Sequence, residues 1–264
     1  MNQFKVCTYN VNFSRRTIGQ FEEYHWTSRS AAIYDQMQKI NADIWCIQEI
    51  HQDNVDEFIT TMSDFHWFME KNNPMPGKIT NIGIGIRKNF DRSDIEAASY
   101  NFNQYHNGGE NFIYCKIKSI NTVIVSVHFP MNLDARKATV YNFDKLLEKL
   151  DYEHLIITGD FNSFPDLWGY QQIPELNKIC GTYSASEFAV NESDGMYARR
   201  SFRAYPYDVV PAKCLKMTGK LDHILVKNLS IAENTDVIVH ENSYVKSTSI
   251  TPSDHFPVSA ILKW

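Results

Sequence analysis

Short runs of β-branched and aromatic residues recur along the chain and predict a protein built mainly of strands. Each run is bounded by polar or turn-forming residues. Eight runs stand out, namely FKVCTY, DIWCIQ, NIGIGI, FIYCKI, TVIVSV, HLIIT, DHILV and PVSAIL. Because these runs are largely apolar, we expect the strands to be buried and to dominate the fold.

Apolar residues at helical spacing mark a smaller number of segments between these runs. One helix is predicted over residues 29–40 with Ser28 as its N-cap, and another over residues 134–150. A third, shorter helix is predicted around residues 54–62. Each of the two longer helices can lay one face on a sheet. No linker rich in Pro, Gly or Ser interrupts the pattern, so we expect a single domain over residues 1–264.

Polar side chains repeatedly stand at the borders of the predicted strands. Asparagine, carboxylate and imidazole groups directly follow or precede apolar runs that are far apart in the chain. The residues are Asn10, Asn12, Glu49, His128, Asp160, Asn162, Asp222, Asp254 and His255. Ligand sites in sheet proteins commonly form at strand ends. If these borders face the same way, their side chains converge in one cleft.

The chemistry of this set indicates a site for a hard divalent cation. Carboxylate and carboxamide oxygens suit Mg²⁺ or Mn²⁺, whereas the shortage of Cys and of paired His argues against a tetrahedral zinc site. A Mg²⁺ ion with few protein ligands keeps open positions for water and phosphate oxygens. The predicted cofactor is therefore Mg²⁺ or Mn²⁺.

Six short segments carry a resemblance to a known family. In chain order they are TYNVN, IQE, VHFP, GDFNSFPD, LDHILV and SDHFPV, and they extend from Thr8 to Val258. This set resembles the endonuclease/exonuclease/phosphatase superfamily. The resemblance implies an α/β fold, a four-layer sandwich of two mixed β-sheets packed face to face with helices outside. It also implies a metal-dependent phosphoester hydrolase in which water attacks phosphorus.

The resemblance assigns the metal to three positions and the water to two. Asn10, Glu49 and Asp254 look like metal-site residues, with Glu49 as a direct ligand. Asp160 and Asn162 look like the pair that orients the attacking water and the scissile phosphate, or that holds a second ion in some members.

Histidines complete the site that the resemblance implies. His128 is similar to the family histidine that contacts the phosphate. His255 is similar to the one that acts as a base or binds phosphate, held in its tautomer by Asp222. His223 is interpreted as a neighbour of Asp222 rather than as a catalytic residue. Which group takes the proton from the water stays open.

The same residues also fit other interpretations. Taken alone, Asn10 could stabilise a turn and Asp254 could cap one. A serine hydrolase is a rival because the order Asp222 then His255 matches one such triad, yet Ser163 lies in DFNSF and not in a Gly-x-Ser-x-Gly elbow. A non-catalytic binding module is another rival. A binding module would keep the core but lose the polar residues at the strand borders. Because all of these residues are present, an enzyme is favoured.

The substrate class depends on less specific features. Residues 199–220 hold six Lys and Arg against one Asp, with aromatic residues interleaved, which suits phosphate contacts and base stacking. An ordinary solvated loop explains this segment about as well. We assign substrate binding to Arg203 and Asn12. His223 and Phe256 replace basic residues expected of inositol phosphate 5-phosphatases. Nucleic acid is the leading substrate, and a phospholipid head group or small phosphoester is the runner-up.

Composition adds limits on partners and compartment. A formal net charge of −5 makes a broad polyelectrolyte grip on nucleic acid unfavourable, so any such contact should be local. Five cysteines without metal-finger spacing indicate free thiols in a reducing compartment. No run is long and apolar enough for a spanning helix, and no signal peptide is recognisable. We therefore expect a cytoplasmic protein, or one exported without a cleaved signal, with no obligate protein partner indicated.

Overall fold

The computed structural model describes residues 3–12, 25–70, 80–101, 111–130, 132–162, 189–191, 221–233, 235–240 and 252–264. The helices are α1 (Trp26–Ile40), α2 (Val55–Thr61) and α3 (Leu133–Leu147). The strands are β1 (Gln3–Asn10), β2 (Ile44–His51), β3 (Phe65–Met69), β4 (Thr80–Arg87), β5 (Ile95–Asn101), β6 (Asn111–Ile117), β7 (Thr122–His128), β8 (His154–Asp160), β9 (Ala189–Asn191), β10 (Asp222–Lys227), β11 (Ser230–Ile231), β12 (Val237–Val239) and β13 (Val258–Lys263).

These strands form two mixed sheets. The first sheet has the order β3-β4-β2-β1-β13-β12-β9, with β11 also paired to β13. The second sheet has the order β10-β8-β7-β6-β5. In the first sheet β1 runs parallel to β2 and antiparallel to β13. In the second sheet β8 runs parallel to β7 and antiparallel to β10. Each sheet therefore has a parallel pair beside an antiparallel neighbour.

The sheets pack face to face with helices on both outer sides. Along β1, Val6 belongs to the core between the sheets, whereas Cys7 and Tyr9 pack under α1 and α2. This division follows from the alternation of side chains along a strand. On the far side, Phe143 of α3 packs edge-on against Phe112 of β6, with ring centroids 5.3 Å apart. The predicted four-layer α/β sandwich is confirmed.

The element boundaries differ from the sequence prediction in two places. Helix α1 begins at Trp26 with His25 at its N-cap, so the predicted start after Ser28 is wrong. Packing explains the earlier start, because the Trp26 ring lies 6.4 Å from that of Phe58 and its indole N–H donates to Glu57 Oε2 at 3.0 Å. Tertiary contacts here outweigh the capping preference of serine.

The second difference concerns strands and the end of a helix. Helix α3 ends at Leu147, three residues earlier than the predicted Leu150. Strands β3, β5, β9, β11 and β12 were not predicted. The eight predicted strands all exist, with boundaries shifted by a few residues.

Three cysteines lie within the described residues and are free and buried, namely Cys7, Cys46 and Cys115. Burial raises the pKa of the Cys7 thiol well above its ordinary value, so it stays protonated at neutral pH. Cys180 and Cys214 lie outside the described residues. None of the helices in the described segments combines the length and the apolar character that a membrane crossing requires.

Candidate active site

The polar strand ends meet at one end of the gap between the two sheets. Asn10 ends β1 and Asp160 ends β8, and the Asn10 side-chain amide donates to Asp160 Oδ2 at 3.0 Å, across the gap. His128 ends β7 and lies opposite Asp160 in the parallel pairing, while Asp222 begins β10 and lies opposite Asp160 in the antiparallel pairing. Both sheets therefore contribute to a single cluster.

Asn10 connects two carboxylates in this cluster. Its side-chain Nδ2 donates to Glu49 Oε1 at 3.1 Å as well as to Asp160. Its Oδ1 accepts the backbone N–H of Asn12 at 2.9 Å. The amide thus holds Glu49 and Asp160 at fixed positions, which suits a residue beside a cation.

Glu49 reaches the cluster because β2 is irregular at this point. By simple alternation, Glu49 would share the outer face of the first sheet with Ile47. The pairing of β2 with β4 shifts register between Ile47 and Ile50, and Glu49 has a positive φ of 60°. The bulge turns its carboxylate inward, to 3.6 Å between Oε1 and His128 Nε2. Such bulges commonly aim a side chain at a functional site.

Asp160 is the centre of the cluster and is only 2% exposed. Its Oδ2 lies 3.7 Å from His128 Nε2 and 3.8 Å from His255 Nε2. Its Oδ1 accepts the backbone N–H of Asn162 at 2.8 Å. Burial raises the pKa of Asp160, and the neighbouring positive charge of His255 opposes that rise. Two imidazoles therefore face one carboxylate oxygen.

His255 and Asp222 form a buried pair. His255 Nδ1 lies 2.8 Å from Asp222 Oδ2, which leaves Nε2 directed at Asp160. Burial alone would lower the pKa of His255, but the charge and hydrogen bond of Asp222, followed by the charges of Asp160 and Asp254, raise it to about 10. The ring is therefore a cation at neutral pH in the metal-free protein. A bound cation would oppose this effect by neutralising the same carboxylates.

Asp254 provides the main test of whether a cation fits here. Its side chain is 14% exposed, and Oδ1 lies 4.0 Å from His255 Nε2. Among the described residues no hydrogen-bond donor reaches this buried oxygen. Burial raises the pKa of Asp254 to about 6, and the charge of Glu49 adds to the rise. A carboxylate oxygen that lacks donors beside other carboxylates is the arrangement that a cation stabilises.

Two overlapping groups of side chains have the spacing of a metal site. The possible ligand atoms of Glu49, His128 and Asp160 lie within 4.8 Å of one another, and so do those of Asp160, Asp222 and His255. The donor set is dominated by carboxylate oxygens, which fits the hard cations Mg²⁺ and Mn²⁺. The residues present therefore fit a divalent cation.

The two asparagines that follow β1 and β8 form matching turns. Asn12 and Asn162 have positive φ values of 45° and 46°, in the left-handed region that asparagine tolerates. Asn162 Nδ2 donates to the carbonyl oxygen of Phe129 at 2.7 Å, which ties β8 to β7. For Asn12, the hydrogen bond to Asn10 uses the backbone N–H.

Two further predicted residues need separate comment. Arg203 lies outside the described residues, as does the rest of the basic segment 199–220. His223 lies on the opposite face of β10 from Asp222 and packs edge-on against Phe161, with ring centroids 5.2 Å apart. We keep the interpretation of His223 as a neighbour of Asp222.

Sequence reasoning missed three residues that hold the site together. Ser253 Oγ donates to the carbonyl oxygen of Asn10 at 2.7 Å and accepts the backbone N–H of His255 at 3.1 Å. Arg29 and Arg136 are buried and donate to backbone carbonyls at the strand ends. The available signal was an arginine inside the apolar stripe of each helix, four residues before Ile33 and Val140 respectively.

The fold and the site together define a class, a two-sheet α/β sandwich with a carboxylate and imidazole cluster at its strand ends. Residues 7–255 match the sequence model of the Endonuclease/Exonuclease/phosphatase family. The chain belongs to this family, whose members are phosphoester hydrolases.

Solved structures with the same fold cover nearly the whole chain. An endonuclease/exonuclease/phosphatase from Bacteroides vulgatus has a TM-score of 0.72 at 14% identity and covers 100% of this chain and 99% of its own. Bacteroides thetaiotaomicron VPI-5482 mannosyl-6-phosphatase has a TM-score of 0.68 at 17% identity, covering 99% and 100%. TDP2 from Caenorhabditis elegans has a TM-score of 0.68 at 17% identity, covering 99% and 75%. No curated protein sequence matches significantly. These identities establish a shared fold only.

Proposed function

We propose that the protein is a Mg²⁺- or Mn²⁺-dependent phosphodiesterase in which water attacks phosphorus, with nucleic acid as its leading substrate. The observation that carries this proposal is the contact between the sheets at the cluster. Asn10 Nδ2 bonds Glu49 and Asp160 at 3.1 and 3.0 Å, while His128 and His255 face the same Asp160 oxygen. Acidic, amide and imidazole groups thus surround one small volume.

In the proposed mechanism Glu49 and Asp254 would hold the cation, with Asn10 beside them. When bound there, a divalent cation would supply positive charge against the charge that develops on the phosphoryl oxygens. Asp160 accepts a hydrogen bond from the attacking water, and its own orientation is fixed by the N–H groups of Asn10 and Asn162.

The two histidines act on the phosphate. His255 is held by Asp222 through Nδ1 and directs Nε2 at the cluster, from where the protonated ring donates to a phosphoryl oxygen. His128 donates to a second oxygen from the β7 end of the cluster. Preorganised donors aimed at developing charge are usually the largest contribution to such catalysis.

The substrate proposal draws on the sequence of residues 199–220 and on Arg203 and Asn12 as binding residues. The leading class is a nucleic acid, held through phosphate contacts and base stacking. The similarity to a mannosyl-6-phosphatase supports a second candidate, a small phosphoester. A phospholipid head group belongs with this second candidate.

A panel of substrates under controlled metal tests both candidates. Purified protein is assayed with single- and double-stranded DNA, RNA, sphingomyelin, a hexose 6-phosphate and an aryl phosphodiester, each with Mg²⁺, Mn²⁺ or EDTA. We expect metal-dependent cleavage of a polynucleotide. Turnover of the monoester or the lipid without the polynucleotide would favour the second candidate. No turnover of any phosphoester with either metal would reject the enzyme and favour a binding module.

The same proposal includes a single domain over residues 1–264 and a reducing compartment such as the cytoplasm. Pairing of Gln3 in β1 with Lys263 in β13 supports the single domain, because it joins distant parts of the chain in one sheet. The free buried thiols support the compartment.

A further inference from the structure

Two arginines are buried on opposite sides of the sandwich. Arg29 of α1 is 5% exposed and Arg136 of α3 is 0% exposed. Burying a guanidinium group is unfavourable unless it is paired or hydrogen-bonded. Both side chains extend from the outer helices toward the strand ends that form the candidate site.

Arg29 binds two of the segments that form the site. Its Nη1 donates to the carbonyl oxygen of Val11 at 3.0 Å, and its Nη2 donates to that of Asn12 at 2.6 Å. These two residues directly follow Asn10, the last residue of β1. Nη1 also donates to the carbonyl oxygen of Pro252, in the segment that leads to the last two site residues. One guanidinium group therefore fastens both segments.

Arg136 makes the corresponding contacts in the second sheet. Its Nη1 donates to the carbonyl oxygen of Asn162 and, at 3.4 Å, to that of Pro130. Asn162 follows Asp160 at the end of β8. Pro130 follows His128 at the end of β7. The strand ends that carry Asp160 and His128 are therefore bonded to the same arginine side chain.

The turns that the arginines bind are the ones that orient the site side chains. The backbone N–H of Asn12 donates to the side chain of Asn10, and that of Asn162 donates to the side chain of Asp160, at 2.9 and 2.8 Å. The carbonyl group of the same left-handed asparagine accepts from the arginine. Each arginine thus fixes the peptide unit that follows the one whose N–H group orients Asn10 or Asp160.

We propose that Arg29 and Arg136 are positioning residues for the reaction, each acting through strand-end carbonyls on two segments of the site. They contact backbone, and they reach the site from behind the turns. The predicted effect of the two arginines on rate rests on the proposed hydrolase function, whereas their predicted effect on the turns does not. A planar guanidinium presents five donors in a fixed, spread geometry that suits diverging carbonyls, whereas the three donors of a lysine radiate from a single nitrogen atom.

The chain offers a matched control at the opposite end of the first sheet. Arg87 Nη2 donates to the carbonyl oxygen of Ala42 at 2.7 Å and to Asn41 Oδ1 at 2.6 Å. Asn41 is also left-handed, with φ 52°. Arg87→Lys therefore changes an arginine–carbonyl contact beside a left-handed asparagine, at a more exposed position remote from Glu49 on β2.

Amide hydrogen exchange measured by NMR in metal-free protein tests the effect on the turns. We expect Arg136→Lys to speed exchange of the Asn162 amide at least ~10-fold relative to core amides of β8, while the Asn12 amide is unchanged. We expect Arg29→Lys to give the reverse pattern and Arg87→Lys to affect neither amide. A uniform increase over the whole core, or no change at either turn, would overturn the inference.

A variant that fails to fold is replaced by glutamine at the same position, which retains an N–H donor. If neither variant folds at either position, the arginines are structural and the inference is wrong.

Steady-state kinetics on the best substrate of the panel test the effect on rate. We expect kcat to fall about 10- to 100-fold in Arg29→Lys and Arg136→Lys with little change in KM, because small misplacements of catalytic groups are costly. Arg87→Lys should keep the wild-type kcat. Altered exchange at the turns with an unchanged kcat would refute positioning. Absence of activity in the wild type would reject the proposed function and leave the exchange result to be judged by itself.

Discussion

Glu49 has an unusual backbone conformation and carries a negative charge that the proposed chemistry requires. Its positive φ and the bulge in β2 direct the carboxylate to Asn10 and His128. Glu49→Gln keeps the size of the side chain and an oxygen acceptor for Asn10, but removes the negative charge. We expect kcat/KM to fall by about 100-fold or more, as when one electrostatic partner is removed from an active site.

The measurement pairs steady-state kinetics with thermal unfolding in EDTA. The melting temperature should not decrease, since the substitution relieves repulsion with Asp254. Glu96→Gln on β5 is the control, because Glu96 is exposed and should tolerate the change. A Glu49→Gln enzyme within a few-fold of the wild-type rate would remove Glu49 from the metal site.

The protonation state of His255 depends on Asp222 in a way that a single substitution can isolate. In the metal-free protein the pKa of His255 is raised to about 10, mainly by Asp222 acting against the lowering effect of burial. Asp222→Asn removes that charge. We therefore expect the pKa to fall well below 10, toward its ordinary value of 6.5, as followed by NMR titration of the ring.

The raised pKa of His255 also makes the free energy of unfolding depend on pH. Because the folded-state pKa is higher than the ordinary value, protonation of His255 stabilises the fold fully below pH 6.5, and this contribution is lost as pH rises through 10. Because Asp222→Asn lowers the folded-state pKa toward 6.5, the variant should lose less stability than the wild type as pH rises. Asp151→Asn, at an exposed site, should leave the titration unchanged. A pKa near 10 in Asp222→Asn would show that other groups hold the proton.

Strand β8 depends on a glycine next to the end that carries Asp160. Gly159 has φ +145°, and a Cβ there would lie 2.0 Å from the carbonyl oxygen of Val127 in β7. This close approach places Asp160 opposite His128. Gly159→Ala should lower the free energy of unfolding by at least about 2 kcal/mol in urea denaturation, because both the backbone conformation and the contact are unfavourable.

Gly83→Ala in β4 is the comparison for this substitution. The Cβ at Gly83 would meet the Sδ atom of Met69 at 2.4 Å, at the flexible end of a side chain that can move. Its cost should therefore be smaller than that of Gly159→Ala. Equal costs for the two alanines would contradict the special role of the β7–β8 contact.

The elements that sequence reasoning missed have partners that local pattern does not reveal. Strand β3 has no β-branched residues, and its large side chains lie over glycines of β4, with Trp67 opposite Gly85 and Met69 opposite Gly83. That complementarity exists only after the two strands pair. Strand β5 (Ile95–Asn101) is an edge strand rich in small and polar residues. The eight predicted strands, by contrast, carry their own apolar signal.

The candidate site was predictable to the extent that its residues stand at strand borders. Asn10, Asp160 and Asp222 occupy such positions, and the structure brings them together. Arg29 and Arg136 could not be assigned in this way, because their partners are backbone carbonyls from distant segments. A backbone carbonyl leaves no residue-specific mark in a sequence.

The molecule as a whole depends on how the two sheets are joined beneath the site. Gln48 of β2 is fully buried between the sheets. Its Oε1 accepts the hydroxyl of Thr8 at 3.3 Å, and its Nε2 donates to Ser126 Oγ of β7 at 3.2 Å. This polar link crosses an otherwise apolar core. Because a buried polar group without a partner is costly, the link favours one relative placement of the sheets.

A double-mutant cycle measures this link. Gln48→Met fills a similar volume but removes the hydrogen bonds of Gln48 to the Thr8 and Ser126 hydroxyls, so unfolding in urea should become easier by about 1–3 kcal/mol. Ser126→Ala combined with Gln48→Met should cost less than the sum of the two single changes by at least about 0.5 kcal/mol. Additive effects would mean that the hydrogen bond does not couple the sheets.

The control cycle pairs Gln48→Met with Ser259→Ala. Ser259 of β13 is also buried, but its partner is His240 at 2.8 Å, on the α1 side of the first sheet. These two changes share no contact and should add within about 0.5 kcal/mol. Coupling in the first cycle and additivity in the second would place the interaction between the sheets. The same coupling in both would indicate a general loosening of the core, and the site at the end of the gap would then have to be held by its strand-end contacts alone.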